Sequence, residues 1–171
     1  MPLFYSRFSD PKIDWPMILI AWQGFANHKM SAEQVISYAL DQIGQGTPEQ
    51  DEIAAFLVNT NPLDWQTLNR HLEQIAEEPF DRITALRKWR LAELKDLVDK
   101  LRLPDDYEDE DELWTAFYAI SDFWVAYRSE LPGSEEVLPE YGEPISEMLL
   151  EQQAWIKREE IALRDGAGVE H

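Results

Sequence analysis

Apolar residues recur along this chain at the three- and four-residue spacing of helices, and almost nowhere at the two-residue spacing of strands. Asp14 opens a first segment reaching about Asn27, with Pro16 in the first turn, where a backbone N–H has no helical partner to lose. Ser31 and Gln34 have the spacing of a capping box, followed by Val35, Ile36, Ala39, Leu40 and Ile43 and by Gly44 as a stop. Thr47, Pro48 and Gln50 repeat that start ahead of Ile53, Phe56 and Leu57. Asn61 and Pro62 start a fourth segment, with Trp65, Leu68, Leu72, Ile75 and Ala76 on one face. A longer fifth helix covers about residues 80–102 and ends before Pro104. A sixth covers about 109–130, ahead of Pro132 and Gly133, and a seventh starts near Glu143 and Pro144 and stops at Gly166.

Two segments are apolar around more than one side. In the sixth, Leu113, Phe117, Ile120, Trp124, Tyr127 and Leu131 form one stripe, and Trp114, Tyr118 and Val125 extend it around a second side. Such a helix is expected between neighbours, with both sides covered; a ligand-binding aromatic box is the alternative. The segment 17–25 is expected to be buried for the same reason. Helices two to four have short connectors, which favours antiparallel neighbours, and their starts are too closely spaced for a helix-pair repeat. The expectation is therefore an all-α fold of about seven helices in one domain over residues 1–165. Residues 166–171 form a flexible tail. The first dozen residues, with Leu3, Phe4, Tyr5 and Phe8, are the one place for a short strand.

Composition narrows the function classes. With 44% hydrophobic residues, seven Trp, seven Phe and six Tyr in 171 residues, the chain can build a core despite its charge. A formal net charge of −19 repels phosphate backbones and anionic lipid, so neither nucleic acid nor a membrane surface is expected as a partner. Basic proteins or cations are the natural counterparts. The absence of cysteine removes disulfides, thiol nucleophiles and Cys-based metal sites. The N-terminus lacks a basic segment followed by a long apolar core, and the longest strongly apolar run is residues 17–22, so a cytoplasmic protein is expected.

The charge is uneven. Residues 1–104 hold 11 basic and 15 acidic residues, whereas residues 105–171 hold 4 basic and 19 acidic. The asymmetry peaks in Asp105, Asp106, Glu108, Asp109, Glu110, Asp111 and Glu112, seven acids around Tyr107. Acids favour a helix N-terminus by roughly 0.3–1 kcal/mol each, but two or three suffice, and seven repel one another. The block either folds back on the basic fifth helix, which carries Arg82, Arg87, Lys88, Arg90, Lys95, Lys100 and Arg102, or stays free to face a basic partner. As a solvated connector it would do neither.

Catalytic motifs are absent. The block has no glycine for an EF-hand loop. His28, His71 and His171 are the only histidines, and none sits in a His-Glu-x-x-His or Glu-x-x-His pattern. There is no Gly-x-Ser-x-Gly elbow, no phosphate-binding loop and no dinucleotide fingerprint, so no cofactor is expected. The enzyme alternative is an all-helical, magnesium-dependent nucleotide pyrophosphatase. Glu49 with Glu52 and Glu93 with Asp96 have the one-turn spacing such a site needs, without that family's compact motif. A generic acidic adaptor is the third reading.

Asp14-Trp15 at the first helix, Val35-Ile36-Ser37-Tyr38-Ala39 in the second, Lys88-Trp89 followed by Leu94, and Ala119-Ile120-Ser121-Asp122-Phe123 carry a resemblance across most of residues 13–130. Their order resembles a little-characterised family of small bacterial proteins, some of them among polymorphic-toxin immunity proteins. The resemblance implies a non-enzymatic protein that binds a cognate toxin. In that reading the residues Asp105 to Glu112 would meet the toxin's cationic site, with Tyr107 as an aromatic anchor.

Overall fold

Seven α-helices account for the regular structure in the computed structural model, which describes residue 8 and residues 11–101 and 110–166. They are α1 Trp15–Gln23, α2 Ala32–Gln42, α3 Pro48–Val58, α4 Trp65–Ile75, α5 Arg82–Lys100, α6 Glu110–Arg128 and α7 Ile145–Gly166. Among the described residues there is no strand, only an isolated bridge between Phe25 and His28. The all-α fold read from the periodicity is the fold observed. The candidate N-terminal strand falls almost wholly outside the described residues, as do the last five residues of the tail. The helices fall into two compact units, Met1–Ala85 and Leu86–His171.

In the first unit α1 is the buried element. Met17, Ile18, Leu19 and Ile20 are all inaccessible, as expected of a segment apolar all round. It packs against α2 and α4, while α3 packs against both α2 and α4. The helix starts are fixed by short polar side chains. Asp14 accepts from the Met17 N–H at 3.1 Å. Ser31 and Gln34 close their reciprocal box at 3.3 and 2.9 Å, and Thr47 and Gln50 close theirs at 3.2 Å each. Each satisfies first-turn N–H groups that would otherwise lack partners.

Two ends differ from the sequence reading. α1 stops at Gln23 instead of running to Asn27, because Gly24 (φ 96°), Ala26 (φ 41°) and Asn27 (φ 65°) leave helical space. The turn they make lets Phe25 and His28 exchange backbone hydrogen bonds. α4 starts at Trp65, not at Asn61. The Asn61 carboxamide accepts from Leu63 N–H at 2.9 Å in a local turn, and Asp64 is the cap, accepting from Thr67 N–H at 3.1 Å. Trp65 is thus a first-turn residue on the surface. Phe56, expected in the core, is also exposed and stacks on the His71 ring at 5.5 Å. Burial and the adjacent Arg70 hold the His71 imidazole below its ordinary range.

The second unit builds its core from three helices. Leu91, Leu94 and Val98 of α5 meet Ile120 and Trp124 of α6 and Met148, Trp155 and Ile156 of α7. The rings of Trp124 and Trp155 meet edge to face at 5.0 Å. Gln152, wholly buried, is satisfied at both ends: it accepts from Trp124 Nε1 at 2.9 Å and donates to the Val137 carbonyl at 2.7 Å. Ile120, Trp124, Tyr127 and Leu131 are buried, as their stripe requires. The second apolar side of α6 is not covered. Tyr118 is 56% and Val125 53% exposed, because α5 and α7 both pack on the stripe side.

Candidate interaction surface

Four cations of the basic helix α5 pair with carboxylates of the second unit. Arg87 forks both oxygens of Glu159, Nε at 2.7 Å and Nη2 at 3.0 Å. Arg90, only 3% exposed, places Nη2 3.5 Å from the same carboxylate and donates from Nη1 to Ser134 Oγ at 2.7 Å. Its guanidinium lies 4.8 Å from the Trp155 ring centroid and 5.7 Å from that of Trp124, so the cation is held by aromatic faces as well as by Glu159. Burial lowers the Arg90 pKa and Glu159 opposes that shift. An arginine remains charged under both influences. Lys95 pairs with Glu160 at 2.7 Å and Lys100 with Asp96 at 2.5 Å. At the other end of the helix, in the first unit, Arg82 donates to Gln23 at 2.7 Å and lies 3.9 Å from Glu78. These cations of α5, which could have neutralised the acidic block, have carboxylates on α7, on α5 or just before it.

The same unit straps the segment between α6 and α7. Arg128 forks Glu136 at 3.0 and 2.9 Å, which raises the arginine's pKa and lowers that of the carboxyl. Arg158 reaches Glu135 at 2.9 Å, and Arg90 and Gln152 hold Ser134 and Val137. Pinned at 134–137, the segment brings Tyr141 against the start of α6. Its ring lies 5.0 Å from that of Trp114 and 6.4 Å from that of Phe117. Trp114 stacks on Tyr118 at 5.7 Å, and Phe117 meets Tyr118 edge-on at 5.5 Å. Four rings therefore form one continuous patch in which Tyr141 is 79% and Tyr118 56% exposed. Along α6 the exposed positions Asp111, Thr115, Tyr118, Asp122 and Val125 share one stripe.

Of the site residues named from sequence, Asp105, Asp106, Tyr107, Glu108 and Asp109 lie outside the described residues. Glu110 opens α6, Asp111 is exposed and Glu112 is half-buried. The aromatic patch begins two residues later. Sequence reasoning assigned Trp114 and Tyr118 to a covered side and passed over Tyr141. One signal was available: Tyr118 sits seven residues after Asp111 and four before Asp122, on the polar stripe of the helix. Another was charge, since residues 103–156 hold one basic residue, Arg128, against 15 acidic ones.

Neither carboxylate pair considered for magnesium gathers a third ligand. Glu49 and Glu52 are both exposed on α3, while Asp96 pairs with Lys100 and Glu93 faces the buried Tyr127 hydroxyl. Among the described residues no three His, Asp or Glu side chains converge into a group that could hold a metal ion. No helix among them is long and apolar enough to cross a membrane.

No curated protein and no solved structure matches the chain. The profile of a family described as "Uncharacterized protein conserved in bacteria (DUF2247)" matches residues 5–160, which include α1 to α6 and most of α7. The chain belongs to this bacterial family.

Proposed function

We propose that this protein is a non-enzymatic, immunity-like binding protein that neutralises a cognate bacterial toxin. It does so through the acidic surface that runs from residues 105–109 into Glu110, Asp111 and Glu112. One observation carries this reading. Arg87 and Arg90 are engaged with Glu159, Lys95 with Glu160 and Lys100 with Asp96, so these four cations of α5 already have carboxylates outside the acidic block. Arg128, the one base between residues 103 and 156, is forked to Glu136. Uncancelled charge of one sign attracts a basic surface over roughly the Debye length, about 10 Å at 0.1 M salt, and accelerates association. A nuclease toxin that holds phosphate presents such a surface.

A basic toxin domain is expected to be encoded beside this gene, and co-expression with that neighbouring product tests the proposal. The expected result is restored growth and a stable complex of the two chains. Growth arrest that persists, with no complex by size-exclusion chromatography, would overturn it. Magnesium-dependent turnover of nucleoside triphosphates by the purified chain would contradict it in favour of a hydrolase.

A further inference from the structure

The aromatic patch at the start of α6 is unusual for a surface so acidic. Exposed tyrosines on a soluble helix are ordinary singly, but Trp114, Phe117, Tyr118 and Tyr141 touch one another. They are also deliberately assembled. Tyr141 reaches them from a segment without helix or strand, held in place by contacts of Arg90, Arg128, Gln152 and Arg158 a few residues earlier. Its neighbours Glu140 and Glu143 are bonded to each other, the Glu140 N–H donating to the Glu143 carboxylate at 3.0 Å. Asp111 lies two turns of helix before Tyr118 and Asp122 one turn after it, on the same stripe.

Electron-rich ring faces with carboxylates around them are complementary to a cation that also has apolar and planar surface. Arginine matches best, because its guanidinium stacks on rings while its N–H groups reach carboxylates. A second copy of this chain is a poor occupant, since each carries a net charge of −19.

We propose that Trp114, Tyr118 and Tyr141 form a seat for an arginine side chain of a basic protein, with Asp111 and Asp122 flanking it. This rests on the acidic-surface reading above and adds to it the residue type the surface selects. The seat lies directly after the acidic block in the chain. Steering by the block and anchoring on the rings are thus separate contributions, the first acting on arrival and the second on retention.

The test uses the full chain labelled with 5-fluorotryptophan, the Trp114 resonance being assigned through Trp114→Phe, and octa-arginine as the probe. Octa-arginine is expected to shift the Trp114 signal saturably while the signals of the buried Trp89 and Trp124 stay in place. Tyr118→Leu and Tyr141→Leu should each weaken binding about 2–5-fold, and Tyr118→Phe and Tyr141→Phe should retain it, because the ring and not the hydroxyl or the bulk is what binds. Octa-lysine should bind more weakly than octa-arginine. Binding of octa-arginine with an unmoved Trp114 signal, and with the leucine variants at full affinity, would overturn the seat and leave the acidic-surface reading standing. No binding at all at low salt would overturn both. A Trp114 shift that depends on protein concentration without any peptide would assign the patch to self-association and overturn the seat.

Discussion

The two units of this chain are stabilised in different ways. The first is mainly aliphatic inside, with Met17, Ile18, Leu19, Ile20, Leu57, Leu68 and Leu72 buried, and holds no buried ion pair among its described residues. Short polar side chains cap its helices, beside longer-range bonds such as Tyr38 to Ile13 and Trp22 to Asn69. The second buries Arg90, Glu159 and Gln152 among Trp89, Trp124 and Trp155, and its polar contacts join residues many positions apart. Local caps set where helices begin. Long-range ion pairs set how helices meet.

Breaking the buried ion cluster should show the largest contrast. Glu159→Ala leaves Arg90 in the interior without its carboxylate and is expected to cost about 3–5 kcal/mol in urea unfolding. A cost below about 1 kcal/mol would mean that the aromatic faces alone hold the cation. Replacing both partners by apolar residues, Arg90→Met with Glu159→Leu, should recover much of the loss, because the buried charge of Arg90 goes with its partner and Arg87, the other cation on Glu159, is partly open to solvent.

Tyr127 gives the second unit an alkaline limit. Burial, with Glu93 beside the hydroxyl, raises its pKa well above the ordinary value of 10.0. The folded chain therefore keeps this proton at a pH where the unfolded chain has released it. The stabilisation is complete below about pH 10 and is lost as pH rises through the folded value, at up to about 1.4 kcal/mol per pH unit. Tyr127→Phe should flatten this part of the stability profile between pH 9.5 and 11. An unchanged slope would place the alkaline loss elsewhere.

In the first unit a smaller and purely local effect is expected. Thr47→Ala removes the acceptor for Gln50 N–H and should cost about 1 kcal/mol, with Thr47→Asp nearly neutral. The smallest effect belongs to the strap on the surface of the second unit. Arg128 is more than half exposed, so Arg128→Ala should leave the unfolding midpoint nearly unchanged although its fork to Glu136 is well formed. It should instead loosen Tyr141 from Trp114, seen as faster hydrogen exchange in residues 134–143.

This contrast also explains what could be read from the sequence. The Ser31 and Thr47 boxes were legible because cap and partner lie three residues apart, and the apolar stripe of α6 because periodicity is local. The start of α4 was misplaced because Asn61 and Asp64 are both good caps, and only the backbone decides which one opens the helix. The partners of Arg87, Arg90 and Lys95 were not legible, since Glu159 and Glu160 lie about 65–72 residues away. For the same reason Tyr141 was invisible as a neighbour of Trp114. The burial of Ile120, Trp124 and Tyr127 followed from one stripe, but Tyr118 and Val125 showed that an apolar second side need not be covered.

The direct test of the central claim is the rate at which this chain associates with a basic toxin domain as salt is varied. The measurement compares the natural chain with a variant in which Asp105, Asp106, Glu108, Asp109, Glu110, Asp111 and Glu112 become Asn and Gln. The natural chain should associate at least about tenfold faster at low salt, with a rate that falls steeply as salt rises, and the variant should be slow and nearly salt-independent. Equal rates and equal salt slopes for the two chains would contradict it.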